Sequence, residues 1–175
     1  MPPTSVERAF ISLGSNVEPE TYLPRAAARL AKLGTVAAIS QAYQNPALGP
    51  DPAPDFVNAV AAVDTALTAF EIRDRLRAIE AALGRRRTQD RFAPRSVDLD
   101  LLLLGAQLLD DPRLTLPDPA LLTDAHLAVP LAEIAPDLRH PLNGERMAAI
   151  AARLRDTSSL TPRPDVTEEL RRAIE

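Results

Sequence analysis

An α+β sandwich built in the order strand, helix, strand, strand, helix, strand is the architecture this 175-residue sequence predicts. Three observations carry the prediction. Short apolar runs rich in β-formers alternate with stretches whose apolar residues recur at helical spacing. Clusters of glycine, proline and asparagine punctuate the runs and stop regular structure between them. Apolar residues make up 46% of the chain against 25% charged, the balance of a protein that buries a core.

The elements follow in order. Residues 8–13 (RAFISL) read as a first strand that stops at Gly14, Ser15 and Asn16. Over 20–33, Leu23, Ala26, Ala27, Leu30 and Leu33 fall on one helical face, and Gly34 supplies a C-terminal stop. A second strand over 36–43 ends in NPALGPDPAPD, whose four prolines exclude regular structure. Residues 56–65 (FVNAVAAVDT) form a third strand, and 68–83 set Phe70, Ile72, Leu76, Ile79 and Leu83 on one side of a second helix. A basic segment over 84–95 precedes a fourth strand at 97–104. Residues 118–131 and 144–154 read as helices, separated by Pro130, Pro136 and Pro141. One domain over 1–157 is expected, then a polar tail over 158–175 with a short helix at 168–174. This order is the split βαβ pattern of a ferredoxin-like antiparallel sheet with helices packed on it and extra C-terminal helices. The fold hosts many functions and selects none.

Composition narrows the chemistry. Without cysteine there is no disulfide and no thiolate, so any metal must take oxygen or imidazole ligands. The net charge of −4 offers no global attraction to nucleic acid or anionic lipid, and neither partner is expected. The longest unbroken leucine run is 101–104, far short of the roughly 20 apolar residues of a bilayer span. The N-terminal residues lack a secretory pattern, so a cytoplasmic location is expected, and separately the chain is expected to be a monomer.

The densest chemical signal is Asp98-Leu99-Asp100. Alternation along a strand sends both carboxylates to one face and Val97, Leu99 and Leu101 to the other. Two same-face anions beside an apolar run need water, cations or a metal, and oxygen ligands alone favour Mg²⁺. Just upstream, Arg85, Arg86, Arg87, Arg91 and Arg95 outnumber Asp90 by four charges. Guanidiniums beside a two-aspartate metal site match polyphosphate, whose oxygens they grip in pairs. Asn58 sits in an apolar strand, where its carboxamide either caps a loop or reads the edge of a heterocycle. Phe56 shares its face and either joins the core or stacks on that ring, while Arg77 and Glu80 are spaced as a helix-surface ion pair. His126 and His140 match no metal spacing. The chain has no GxxxxGK, GxGxxG or GxSxG motif.

Four segments in order, Gly14-Ser15-Asn16, residues 45–50 (NPALGP), 55–59 (DFVNA) and above all 91–100 (RFAPRSVDLD), resemble the 6-hydroxymethyl-7,8-dihydropterin pyrophosphokinase family over about residues 8–155. That resemblance implies transfer of the terminal two phosphates of ATP, as one pyrophosphoryl group, to the hydroxymethyl of a reduced pterin, with AMP leaving. It implies two Mg²⁺ ions on Asp98 and Asp100, and catalytic roles for Arg85 and Arg95 beside those two acids. It assigns Arg77, Glu80, Arg87, Arg91, Phe92, Arg113, Leu114 and Thr115 to the nucleotide, and Asn45, Pro46, Leu48, Phe56, Asn58 and His126 to the pterin. Phe92 stands where many members carry tryptophan, Asp118 where they carry a nucleotide-contacting histidine, and Asp124 and His126 where they carry arginine and phenylalanine. These departures keep open an alternative, a paralogue with an altered substrate or no catalysis. An RNA-binding module on the same sheet is excluded by an aromatic content of 3% and the negative charge.

Overall fold

A computed structural model describes residues 5–46, 54–85, 96–155 and 159–175. Its elements are β1 (Glu7–Ser15), α1 (Pro19–Arg29) with a 3-10 turn at Leu30–Lys32, β2 (Thr35–Ile39), β3 (Tyr43–Asn45), β4 (Phe56–Thr65), α2 (Ala69–Ala82) and β5 (Asp98–Leu104). There follow β6 (Leu109–Asp111), β7 (Leu114–Leu116), a 3-10 turn at Pro119–Leu122, α3 (Ala125–Ile134), α4 (Met147–Arg155), β8 (Thr161–Pro162) and α5 (Pro164–Ala173). The main sheet runs β5-β1-β4, with β2 and β3 both paired to the far side of β4 and β8 beyond β3; every pairing is antiparallel. The expected ferredoxin-like strand order is therefore present, with the second strand broken in two.

That break has a local cause. Ser40 is buried; its Oγ accepts the Val60 N–H at 2.9 Å and donates to the Gln41 carbonyl at 2.8 Å, so a side chain replaces a rung of the ladder. The next backbone groups are taken by the C-terminal segment: Ala42 N–H donates to Thr167 Oγ1 and Arg163 N–H to the Ala42 carbonyl, both at 2.9 Å. Residues 159–175, expected as a polar tail, thus form β8 and α5. The helix starts at Pro164, and Val166 and Leu170 are completely buried in the core.

Helices cover both sheet faces. On one face Leu23 and Leu30 of the first helical segment, Ile72 and Leu76 of α2, and Val166 and Leu170 of α5 meet Ile11, Leu13, Leu99 and Leu101. On the other, Leu127, Leu131, Met147 and Ile150 of α3 and α4 meet Phe10, Val60, Leu102 and Leu103. Leu102 and Leu103 share a face because the β1–β5 register slips between Phe10 and Ile11, leaving Leu102 as an extra residue on β5. The four-leucine run is thus accounted for: the strand is buried on both sides.

Three expectations change. The hairpin β6–β7 was not foreseen, since strands of three residues carry almost no periodic signal. The stretch 118–131 divides into a 3-10 turn and α3, and Pro130 lies inside α3 instead of ending it. An interior proline costs about 3 kcal/mol of helix propensity, which the burial of Leu127, Val129 and Leu131 offsets. The helix expected at 144–154 starts at Met147, because the residues before it form a turn closed by the bridge between Arg139 and Arg146.

Candidate active site

Antiparallel register builds a row of chemistry across the sheet. Asp98 of β5 stands opposite Gly14 of β1, and Gly14 opposite Asn58 of β4. Direct partners share a face, so Asp98 and Asn58 look out on the same side about 10 Å apart, two strand spacings. Asp100, two residues further along β5, shares that face beside Ser12. Gly14 makes the row possible: a Cβ there would stand 2.5 Å from Asn58 Oδ1, so any side chain evicts the carboxamide from its place over β1. Asn58 is nearly buried and its Nδ2 donates to Asn45 Oδ1 at 2.6 Å. Asn45 in turn pairs with Phe56 across β3 and β4. Asn45, Phe56 and Asn58, three of the residues expected around the pterin, therefore converge with Gly14, and Pro46 follows directly. Gln44 Nε2 bonds to Asp55 Oδ2 at 2.9 Å and closes the base of the loop between them. His126 lies half-buried in the first turn of α3, where burial pulls its imidazole below its usual range against the opposing charge of Asp124. Leu48 lies outside the described residues, as do Arg86, Arg87, Arg91, Phe92 and Arg95.

The acid end is organised by Arg85. Its Nη1 donates to Glu80 Oε2 at 2.5 Å and to Asp98 Oδ1 at 2.6 Å, and only 7% of the side chain is exposed. Burial disfavours its charge, yet Asp98 and Glu80 outweigh that cost and hold its pKa above the usual value. Glu80 also accepts the Leu99 N–H at 2.9 Å. At 2% exposure it is a buried anchor for Arg85 and for the outer edge of β5, where helical spacing alone had pointed to an exposed pair with Arg77. Asp100, which reaches solvent on one side, is pushed up to about 7, first by desolvation and then by Asp98, Asp118 and Glu80, with Arg85 opposing. Such a cluster of anions favours a cation. Asp98 and Asp100 supply hard oxygen donors on one face, which fits Mg²⁺, an ion commonly held by one or two carboxylates with phosphate and water completing its shell. Among the described residues no three carboxylates or histidines converge as a closed metal cage.

A cleft of about 280 Å³ runs along the free edge of β5. Arg73, Leu76 and Arg77 of α2 form one wall; Arg113, Leu114, Thr115, Asp118 and Pro119 form the other; Leu99, Asp100 and Leu101 lie between them. Arg77, Asp100, Arg113, Leu114 and Thr115 were expected there, and Asp118 stands where the resemblance placed a nucleotide-contacting histidine, whereas Arg73 had not been assigned. Arg113 is fixed by Asp111, which accepts from its Nε at 3.0 Å and its Nη2 at 3.2 Å, and its guanidinium lies 4.2 Å over the Phe70 ring. Asp118 donates its N–H to the Leu102 carbonyl at 2.9 Å and caps the following turn through Ala120 N–H at 2.9 Å. Burial raises its pKa, the Ala120 bond opposes, and Asp124 adds to the rise. Capping explains this aspartate locally, which is why its position beside Asp100 had no separate signature.

Comparison with known proteins agrees with this geometry. Residues 10–136 match the family described as 7,8-dihydro-6-hydroxymethylpterin-pyrophosphokinase (HPPK). The 2-amino-4-hydroxy-6-hydroxymethyldihydropteridine pyrophosphokinase of Pseudomonas aeruginosa is 43% identical over 139 residues, which cover 78% of this chain and 85% of that protein. The protein of the same name from Methylorubrum extorquens is 37% identical over 150 residues, covering 84% and 93%. Among solved structures, wild-type Plasmodium falciparum HPPK-DHPS superposes with a TM-score of 0.70 at 10% identity; the match covers 87% of this chain and 44% of that longer one, a likeness of fold.

Proposed function

Because the chain belongs to the 7,8-dihydro-6-hydroxymethylpterin-pyrophosphokinase family, we propose that it transfers pyrophosphate from ATP to the hydroxymethyl group of 6-hydroxymethyl-7,8-dihydropterin and releases AMP, a step of folate biosynthesis. The observation that carries the reading is the row Asp98, Gly14, Asn58, which sets an acid pair suited to a cation beside a carboxamide suited to a heterocycle on one sheet face.

In this reading the pterin lies over Gly14. Asn58, steadied by Asn45, bonds the ring edge, and Phe56 and His126 offer planar faces; the lowered pKa keeps His126 neutral and able to stack. Burial of the ring fixes the hydroxymethyl oxygen near Asp98 and Asp100. ATP occupies the cleft along β5, its two outer phosphates toward those aspartates and its AMP portion toward Arg77, Arg113, Leu114 and Thr115. The hydroxymethyl oxygen attacks the β-phosphorus, its proton passes to solvent water, and the bond from that phosphorus to the α-phosphate oxygen breaks, so that AMP leaves with that oxygen and its electron pair. Asp98 and Asp100 would hold Mg²⁺, which would supply neutralisation of the phosphate charge. Arg85 orients Asp98, and Glu80 fixes Arg85. Arg87, Arg91 and Phe92 are assigned to the nucleotide, and Arg95 to catalysis, by the family resemblance alone. Positioning supplies much of the rate, since phosphoryl transfer needs no covalent enzyme intermediate.

Asp118 favours a second reading, a relative with altered substrate, because it adds a carboxylate to the cleft where the nucleotide's own charge must enter. One experiment separates them. Incubated with Mg²⁺, ATP and 6-hydroxymethyl-7,8-dihydropterin, the protein yields AMP and the pterin diphosphate by ³¹P NMR. Formation of ADP, or ATP left intact while the pterin binds, supports the second reading.

A further inference from the structure

Arg73 lines the nucleotide cleft, and neither the family resemblance nor the motif pattern assigns it a role. It stands one turn before Arg77 on the same side of α2. Its Nε donates to the main-chain carbonyl of Arg113 at 3.0 Å, which spans the mouth of the cleft from α2 to the β6–β7 turn and fixes the guanidinium plane. Its Nη1 meets Asp74 at 3.1 Å, but Asp74 is 72% exposed and such a pair holds little. Nη2 carries no hydrogen bond among the described residues. The contrast with Arg113 is informative: that guanidinium is engaged bidentately by a carboxylate and stacked on a ring, whereas the shortest contact of Arg73 is to a neutral carbonyl, its carboxylate neighbour Asp74 is largely exposed, and Asp111 acts on it only through its field. At the opposite end the cleft carries Asp100 and Asp118, so an anionic nucleotide needs a compensating cation at this rim.

Resting on the reading of the cleft as the ATP site, we propose that Arg73 binds the nucleoside monophosphate portion of ATP, the part that leaves as product, and not the pyrophosphoryl group that is transferred. The orientation follows from the acids: with the outer phosphates at Asp98 and Asp100, the rest of the nucleotide extends along β5 toward Arg73 and Arg113. Arg73 then offsets the repulsion that Asp118 introduces.

Calorimetric titration of the full chain with AMP, with inorganic pyrophosphate plus Mg²⁺, and with the pterin tests this in wild type, Arg73→Leu and Arg73→Lys. Loss of one charge-assisted contact weakens AMP about tenfold in Arg73→Leu. ATP weakens by the same factor, pyrophosphate and pterin are unchanged, and Arg73→Lys retains most of the AMP affinity. Unchanged AMP affinity overturns the proposal, as does an equal loss for pyrophosphate. A fall in melting temperature that accompanies the AMP loss in both variants also overturns it, because Arg73 would then only brace the hairpin. Failure of the wild type to release AMP from ATP and pterin strikes instead at the reading on which the proposal rests.

Discussion

At the scale of single residues, Asn58 and Asp100 give the sharpest expectations. Asn58→Ala removes a nearly buried carboxamide whose partner is Asn45, and the pterin KM rises while the ATP KM stays within error; steady-state kinetics with each substrate varied decides it. Asp100 has the opposite character, a carboxyl raised from 3.8 to about 7 by desolvation and its acidic neighbours. The folded chain takes up this proton near pH 7 and the unfolded chain only near pH 4, so between those values the folded state binds more protons and stability falls as pH rises. Urea unfolding in a chelator shows Asp100→Asn more stabilised relative to wild type at pH 8 than at pH 5. A difference independent of pH contradicts the acid-cluster account. Much of this was legible in the sequence, because Asp98-Leu99-Asp100 and Asn58 lie in strands whose alternation fixes their faces. Glu80 was not: its partner Arg85 lies beyond the end of its own helix, and helical spacing pointed to Arg77 instead.

At the scale of elements, the long strands and helices are those the pattern located. β4 spans the expected 56–65, and α2 begins after Thr68, whose hydroxyl accepts the Glu71 N–H at 3.2 Å while Glu71 Oε2 accepts the Thr68 N–H at 2.8 Å. Thr68→Ala removes this capping box and costs about 1 kcal/mol, read as a lower urea midpoint with an unchanged m-value. What escaped the pattern depends on distant partners. The break after β2 needs Val60 and Thr167, the short β6–β7 hairpin is braced against α2 through Arg73 and Arg113, and α5 looks polar because only Val166, Thr167 and Leu170 turn inward. Leu170→Ala therefore destabilises the protein by about 2–5 kcal/mol. A cost under about 0.5 kcal/mol, the level of an ordinary surface substitution, contradicts the docking of α5.

At the scale of the whole molecule, the sheet is clad on both faces, and the site occupies the end where Gly14, Asn58 and Asp98 reach past the cover of α3 and α4. The rigid row supplies the meeting of two substrates. No helix among the described residues is long and apolar enough to cross a membrane. Everything turns on whether Asp98 and Asp100 hold a divalent ion together with the nucleotide. Protein-bound Mn²⁺, followed by water-proton relaxation in the presence of an ATP analogue with an uncleavable α,β bridge, tests this directly. Wild type binds the ion with the analogue, and Asp98→Asn and Asp100→Asn each weaken that binding by at least about tenfold and abolish turnover with ATP. Wild-type Mn²⁺ binding in either variant contradicts the account.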